Sequence, residues 1–207
     1  MEKNKEETKT PDIKDRLAKI ISAGLSPFLL VPVFVLIITA RFSQDLSRFF
    51  IYLIICFVFS TVIPFLNVLF LVRAKKITDI HVAVREERIE PFLVGILSII
   101  LGTLILWRIE APREIVALGA VFALNGVIFF IITLYWKISM HLSILAAVLT
   151  SLAVLIHPAY AAGVILFPPL IWARIQRQRH NIYQGIFGAL LAALGTFALF
   201  LAAGINP

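Results

Sequence analysis

Long stretches without a charged residue are the feature that most restricts how this chain can fold. Ile20–Ala40 is a run of 21 residues without charge, which as a helix can cross about 30 Å of hydrocarbon. The mean hydropathy of +0.97 and the 60% hydrophobic content exceed what a soluble domain of 207 residues needs. Because a backbone in lipid must satisfy its own hydrogen bonds, such runs predict helices. We therefore expect an all-α protein, a polytopic transmembrane helical bundle.

Six to seven apolar runs have about the length that a membrane span requires. Residues 1–16 are polar and form a predicted tail, disordered or partly helical, and residues 17–207 form one integral membrane domain. The third and sixth runs are short, and the sixth contains Pro168-Pro169, which must break or kink a helix. The predicted spans are Ile20–Ala40, Phe49–Val72, Phe92–Trp107, Ile115–Trp136, Ile138–Ile156, Ala159–Ala173 and Ile186–Ile205.

Basic residues are distributed unevenly between the two ends of these spans. Seven spans place 15 of the 19 Lys and Arg residues on the face that carries the N-terminus. The positive-inside rule predicts that this face is cytosolic. A net charge of +7 would suggest nucleic acid as the partner of a soluble protein. Here the cations lie beside membrane spans, so we expect the lipid bilayer as partner and no nucleic acid.

Three polar clusters fall on this same face. Arginine has a planar fork of donors that suits phosphate oxygens, and an imidazole can act as nucleophile or general acid. Together they indicate chemistry on a phosphate group that a lipid carries. Taken alone, the third cluster is also typical of a positive-inside anchor, and the first of an interfacial amphipathic helix. The clusters are Arg85-x-x-Arg88-x-x-Pro91, Lys137-x-Ser139-x-His141 and Arg174-x-x-x-x-x-His180-x-x-x-Gln184.

The order and spacing of the clusters resemble the type 2 phosphatidic acid phosphatase superfamily of membrane lipid phosphatases. That family carries K-x-x-x-x-x-x-R-P, then P-S-G-H, then S-R-x-x-x-x-x-H-x-x-x-D. The third cluster keeps the family spacing between Arg and His, and the second keeps Ser and His as S-M-H; the resemblance covers roughly residues 73–205. The first motif lacks its Lys. Glu90, Met140, Ala173 and Gln184 stand where the family has Arg, Gly, Ser and Asp.

The resemblance implies a role for each matching residue. His180 would attack phosphorus and form a phosphohistidine, and His141 would protonate the leaving oxygen. The substrate would be a membrane lipid such as an isoprenyl (di)phosphate or a phosphatidate, cleaved without a metal or another cofactor. The residues implied to hold the phosphate oxygens are Arg174, Ser139, Lys137 and either Arg85 or Arg88.

Gln184 is the departure with the largest chemical consequence. Its carbonyl can accept a hydrogen bond from His180 and so orient the nucleophile, but an amide cannot neutralise the charge that develops on the imidazole. Carboxylate-to-amide changes in comparable catalytic units cost up to ~10⁴ in rate when the wrong tautomer results. The alternative is therefore a weakened or silent member of the same fold that binds or moves anionic lipid.

A metal-dependent membrane transferase is a further reading of a polytopic chain with a phosphate-binding face. Such enzymes need clustered aspartates to hold Mg²⁺. The four aspartates, Asp12, Asp15, Asp45 and Asp79, show no suitable spacing. We therefore expect no metal site.

Overall fold

The computed structural model describes residues 12–80, 82 and 84–205, and within these ranges it contains helices and no β-strand. The predicted all-α class is confirmed. Most of the polar tail, residues 1–11, lies outside the described residues, and the first helix crosses the expected boundary at residue 16. The helices are α1 (Ile13–Gly24), α2 (Pro27–Phe42), α3 (Leu46–Phe57), α4 (Ile63–Arg73), α5 (Ile89–Arg108), α6 (Arg113–Tyr135), α7 (Met140–Leu155), α8 (Phe167–Gln176) and α9 (Ile182–Ala202).

Six helical stretches in the described part of the chain are long and apolar enough to cross a membrane. The 16 residues of α7 form a further, shorter apolar helix. Six stretches plus this helix agree with the predicted six to seven spans. The stretches are Ile13–Phe42, Leu46–Arg73, Glu86–Arg108, Arg113–Tyr135, Pro158–Gln176 and Ile182–Ala202. The chain is thus a multi-pass membrane protein.

Prolines set where several of these helices begin. The third span is longer than expected because α5 begins at Ile89, and Pro91 lies in its first turn, where its missing N–H breaks no helical bond. Pro168 and Pro169 likewise lie in the first turn of α8. A 3₁₀ segment, Pro158–Leu166, precedes them. The predicted sixth span thus changes from a 3₁₀ segment to an α-helix directly before the two prolines.

A widened turn interrupts the second span. Val58–Val62 forms a π-helical segment between α3 and α4, just before Pro64. Proline cannot supply the N–H that the preceding turn would need, and a π-bulge is one way to absorb that loss. Ser98 of α5 donates a hydrogen bond of 2.6 Å to the carbonyl of Phe59. A neighbouring helix therefore satisfies a backbone oxygen of the interrupted turn.

Helix α7 is the most enclosed helix of the described bundle. It packs closely on α9, where a Cβ at Gly188 would lie 2.6 Å from Ser143 Oγ. Small residues allow helices to approach this closely in a membrane, where packing drives association. Ser143 is completely buried, and its hydroxyl donates a hydrogen bond of 3.0 Å to the carbonyl of Ser139. Neighbouring helices thus cover this short helix.

Asn125 of α6 and Thr196 of α9 join two helices inside the bundle. The Asn125 amide nitrogen donates to Thr196 Oγ1 at 2.9 Å, and both residues are buried. Asn125 thus forms a hydrogen-bonded contact between α6 and α9.

Hydrogen bonds between helix ends place three loops at one end of the bundle. Ser139 N–H donates to the carbonyl of Gln184 at 3.1 Å, and Arg88 Nη1 donates to the carbonyl of Ile138 at 3.1 Å. At the other end, Arg113 at the start of α6 bonds to the carbonyl of Ala203. The segments before α5 and before α7 therefore meet the first turn of α9.

The α7–α9 contact predicts a position-dependent cost of adding two methyl groups. Ala192 is completely buried, whereas Ala198 on the same helix is exposed. We expect Ala192→Val to destabilise the protein by about 1–3 kcal/mol because the core has no room for the larger side chain. The control Ala198→Val should change the stability by less than ~0.5 kcal/mol. Thermal unfolding in detergent measures both, and equal effects would contradict this packing.

Candidate functional site

One cavity brings together residues from all three polar clusters. Its volume is about 290 Å³, and Arg88, His141, Arg174 and His180 lie together in its lining. These four side chains are between 6% and 8% exposed, so each is largely withdrawn from solvent. The structure therefore places two imidazoles and two guanidinium groups from distant parts of the chain around one space.

The cavity continues from this basic end between the helices. Along α5 its lining runs from Pro91 through Gly95 to Ile99, a distance of about 12 Å. Opposite walls are mostly apolar side chains of α4, α6 and α7. The polar residues in this part of the lining include Asn125, in the middle of α6, and Ser60, in the widened turn. One space thus joins a cationic end to an apolar channel within the membrane-spanning helices.

The turn between α8 and α9 positions His180. After α8 ends at Gln176, Gln178 adopts a left-handed backbone conformation with φ 51°. This reverses the chain, and the Arg179 N–H donates to the carbonyl of Arg174 at 3.1 Å. Such a helix end is a Schellman-type arrangement. The spacing of five residues between Arg174 and His180 is therefore the length of one helix end plus one reversal.

A capping box at the start of α9 holds the side chain of Gln184. Gln184 N–H donates to Asn181 Oδ1 at 2.9 Å, and Asn181 N–H donates back to Gln184 Oε1 at 3.2 Å. The reciprocal pair is a known way to satisfy the free N–H groups of a helix start. Because a backbone N–H can only donate, it identifies the Gln184 atom on that side as the oxygen.

This assignment determines which nitrogen of His180 carries the proton. His180 Nδ1 lies 3.3 Å from Gln184 Oε1. The amide oxygen can only accept, so Nδ1 is the protonated nitrogen and Nε2 keeps its lone pair. Gln184 does not line the cavity but acts on a residue that does. The geometry agrees with the orienting role expected of Gln184.

His180 is held in its neutral form. Burial first, and then the positive charges of Arg174, Arg88 and Lys137, lower the pKa of its imidazole to about 3. The hydrogen bond to Gln184 acts in the opposite direction. A neutral imidazole with a free Nε2 lone pair is the form that can attack an electrophile.

Arg88 and Arg174 hydrogen-bond to uncharged groups. Arg88 donates from Nε to the carbonyl of Val82 at 2.9 Å and from Nη1 to that of Ile138. Arg174 donates from Nη1 to Ser22 Oγ at 2.8 Å, and its Nε has no hydrogen-bond partner among the described residues. A buried cation without a paired carboxylate is costly. Both guanidiniums therefore favour an anion in the cavity.

The other predicted phosphate ligands lie outside the cavity lining. Lys137 is half-buried, and its pKa is lowered by burial and then by the charges of Arg88, Arg179 and Arg174. Ser139 is completely buried, and its Oγ lacks a partner within the described ranges. Arg85 forms an ion pair with Glu86 at 2.8 Å and bonds to the carbonyl of Leu134. Of the two arginines considered for the first cluster, Arg88 is the one at the cavity.

Sequence reasoning missed two residues that hold this site together. Ser22, in the first apolar stretch, accepts the bond from Arg174, and a lone serine in such a run gives little signal. Asp79 pairs with Arg179, Nη1 to Oδ2, at 3.1 Å. The N-x-x-Q pattern of Asn181 and Gln184 was readable as a helix start.

In the searched part of the chain, no three His, Cys, Asp or Glu residues come together as a metal site.

Comparisons of this chain with protein-family models, with curated proteins and with solved structures found no match.

The depressed pKa of His180 predicts a loss of stability in acid. In the unfolded chain the imidazole has a pKa of about 6.5, so the unfolded state binds a proton below that pH. The folded state binds the same proton only near pH 3. Stability should therefore fall as the pH drops, by about 2 kcal/mol at pH 5. Thermal unfolding at pH 8 and pH 5 measures it.

The variant His180→Gln should flatten this pH profile because it removes the titrating group. The control His157→Gln changes an exposed histidine before the 3₁₀ segment and should leave the slope intact. An equally steep profile in His180→Gln would assign the acid sensitivity to other groups.

Proposed function

We propose that this protein is a membrane lipid phosphatase that removes phosphate from an isoprenyl (di)phosphate or a phosphatidate-type lipid through a phosphohistidine intermediate. The observation that carries the proposal is the two-part cavity. Its basic end holds Arg88, Arg174, His141 and His180, and its remainder is an apolar channel between helices. A ligand with a phosphate head and a hydrocarbon chain matches both parts.

The charge balance of the basic end supports a phosphate ligand. Two buried guanidiniums line the cavity, and Lys137 lies close enough to lower the pKa of His180. Phosphoryl transfer spreads negative charge over three equatorial oxygens, and fixed cations in a site with little water stabilise that charge strongly. Arginine forks bind such oxygens in pairs. We assign this role to Arg174 and Arg88.

The two histidines divide the reaction. His180 Nε2 attacks phosphorus, a new N–P bond forms, and the bond from phosphorus to the leaving oxygen breaks. His141 donates a proton to that oxygen, which leaves as the lipid alcohol or lipid monophosphate. His141 then takes a proton from water, whose oxygen bonds to phosphorus as the N–P bond breaks; the electron pair returns to His180 Nε2 and inorganic phosphate is released. Gln184 keeps the proton on Nδ1 so that Nε2 can attack.

The second candidate is a silent member of this fold that binds or moves anionic lipid. The observation in its favour is Gln184, which is uncharged and leaves the phosphohistidine to be stabilised by the arginines alone. Both candidates use the same cavity, so hydrolysis and binding must be measured separately.

For sidedness, we propose that the cavity's basic end faces the cytosol. The support is the excess of Lys and Arg at that end of the spans. For the test, Cys56 is replaced and a single cysteine is introduced at position 178. A membrane-impermeant maleimide should label this cysteine only from the cytosolic side. Labelling from the opposite side alone would reverse this assignment.

Phosphate release tests the catalytic proposal. Purified protein in EDTA should release phosphate from phosphatidate or an isoprenyl diphosphate, and His180→Ala should abolish release because it removes the proposed nucleophile. His157→Ala is the control and should keep the rate. An inactive protein that still binds phosphatidate would favour the silent candidate.

Within the same assay, Gln184→Glu tests the geometry of the nucleophile. A carboxylate of the same length should raise the rate by about tenfold or more, since it stabilises charge on the imidazole. Gln178→Glu adds the same charge at an exposed position and should have little effect. Equal rates for the two variants would mean that residue 184 does not act on His180.

The apolar channel predicts a substrate-selective effect of blocking it. A Cβ added at Gly95 meets no atom within 4 Å, and Gly95 lines the cavity. Gly95→Leu should therefore fill the channel without disturbing the fold. We expect a loss of about tenfold or more in activity on a long-chain lipid phosphate, equivalent to about 1.4 kcal/mol of binding free energy, with activity on a short soluble phosphate ester retained. Loss of both would contradict the channel.

A further inference from the structure

Asp79 places a negative charge at the edge of the cationic site. Its carboxylate pairs with Arg179 at 3.1 Å, and about one third of each side chain is exposed, 34% and 30%. Arg179 directly precedes His180, and Ile80, next to Asp79, lines the cavity. The pair therefore lies beside the space assigned to the phosphate.

Asp79 is held in place by anchored neighbours. Thr78 donates to Glu87 Oε2 from its backbone N–H at 3.0 Å and from its hydroxyl at 2.9 Å. Val82 accepts the bond from Arg88. Both anchors come from residues just before α5, the helix that forms one wall of the cavity. The carboxylate is thus positioned by the same elements that position a site cation.

The charge of Asp79 reaches beyond Arg179. It interacts electrostatically with Arg88 and with Arg174, the two guanidiniums that line the cavity. Those two arginines hydrogen-bond to neutral groups. Asp79 therefore supplies negative charge to a cluster that favours an anion.

A phosphate monoester can take the place of this carboxylate. It carries a charge of about −1.5 to −2 at neutral pH and three strong acceptor oxygens, and its bonds to arginine are bidentate and charge-assisted. An ion pair of which about one third is exposed contributes little to stability. The phosphate can therefore recruit Arg179 at a small cost.

We propose that Asp79 is a built-in competitor for the phosphate: it occupies Arg179 in the empty site and yields this cation when phosphate binds. Asp79 thereby lowers the affinity of the site for phosphate and keeps the cluster from holding a phosphate group too tightly. The inference rests on the proposed function only in taking the basic end of the cavity as the phosphate site.

Equilibrium binding tests the inference. Inorganic phosphate is titrated into the full chain in zwitterionic detergent, and phosphatidate is titrated in phosphatidylcholine nanodiscs. Asp79→Asn should lower the Kd by about two- to fivefold, since the competing charge is removed. Asp79→Glu keeps the charge and should bind nearly as the native protein does. A lower Kd for either probe in Asp79→Asn supports the proposal. The probe that shows it, phosphatidate or inorganic phosphate, tells whether the site takes a lipid headgroup or free phosphate.

Two further variants make the result specific. Asp45→Asn removes a carboxylate that caps α3 by accepting from the Arg48 N–H, and asparagine caps equally well, so the Kd should not change. In Arg179→Gln, adding Asp79→Asn should bring a smaller gain, because the competed cation is absent and only the weaker effect of Asp79 on Arg88 and Arg174 remains. An undiminished gain in that background, an unchanged or raised Kd in Asp79→Asn, or no binding of either probe would overturn the proposal.

Binding and hydrolysis separate this inference from the proposed function. A protein that binds phosphate with the expected Asp79 dependence but releases none from lipids retains the inference and loses the enzyme. A protein that hydrolyses lipid phosphates with a Kd independent of Asp79 retains the enzyme and loses the inference.

Discussion

The structure depends on burying several arginine side chains at one end of the bundle although not every one of them has a carboxylate as its partner. The Arg88 guanidinium instead donates hydrogen bonds to two backbone carbonyls, one before α5 and one before α7. These bonds join segments that are 50 residues apart in the chain. Because a buried guanidinium left without partners is expensive, the same bonds that satisfy the charge also hold the loops together. The site and the fold at this end of the bundle are one network.

A second constraint is the close approach of α7 and α9. Glycine on α9 faces serine on α7 at a distance that leaves no room for a Cβ. The backbone of Ser139 bonds to that of Gln184 just above this contact. His141 begins one of these helices and His180 precedes the other. Packing between small residues thus brings the two imidazoles to one cavity.

Much of the fold and part of the site could be predicted from the sequence. Uncharged runs predicted the spans, since lipid demands internally bonded helices, and Pro168-Pro169 predicted an irregularity in the sixth. The spacing between Arg174 and His180 was informative because one helix end and one chain reversal determine it locally. The predicted third span begins at Phe92, three residues after the start of α5, because a helix can begin on polar residues such as Glu90.

The sequence by itself determined the all-α membrane class and the cations at one end, because hydrophobic length and charge are local properties. Only the tertiary structure decided that Arg88 rather than Arg85 lines the cavity, that Ser22 and Asp79 hold the arginines, and that Gln184 turns its oxygen to His180. Those outcomes depend on which helices approach one another. Contacts between residues far apart in the chain leave no periodicity or spacing that a single sequence reveals.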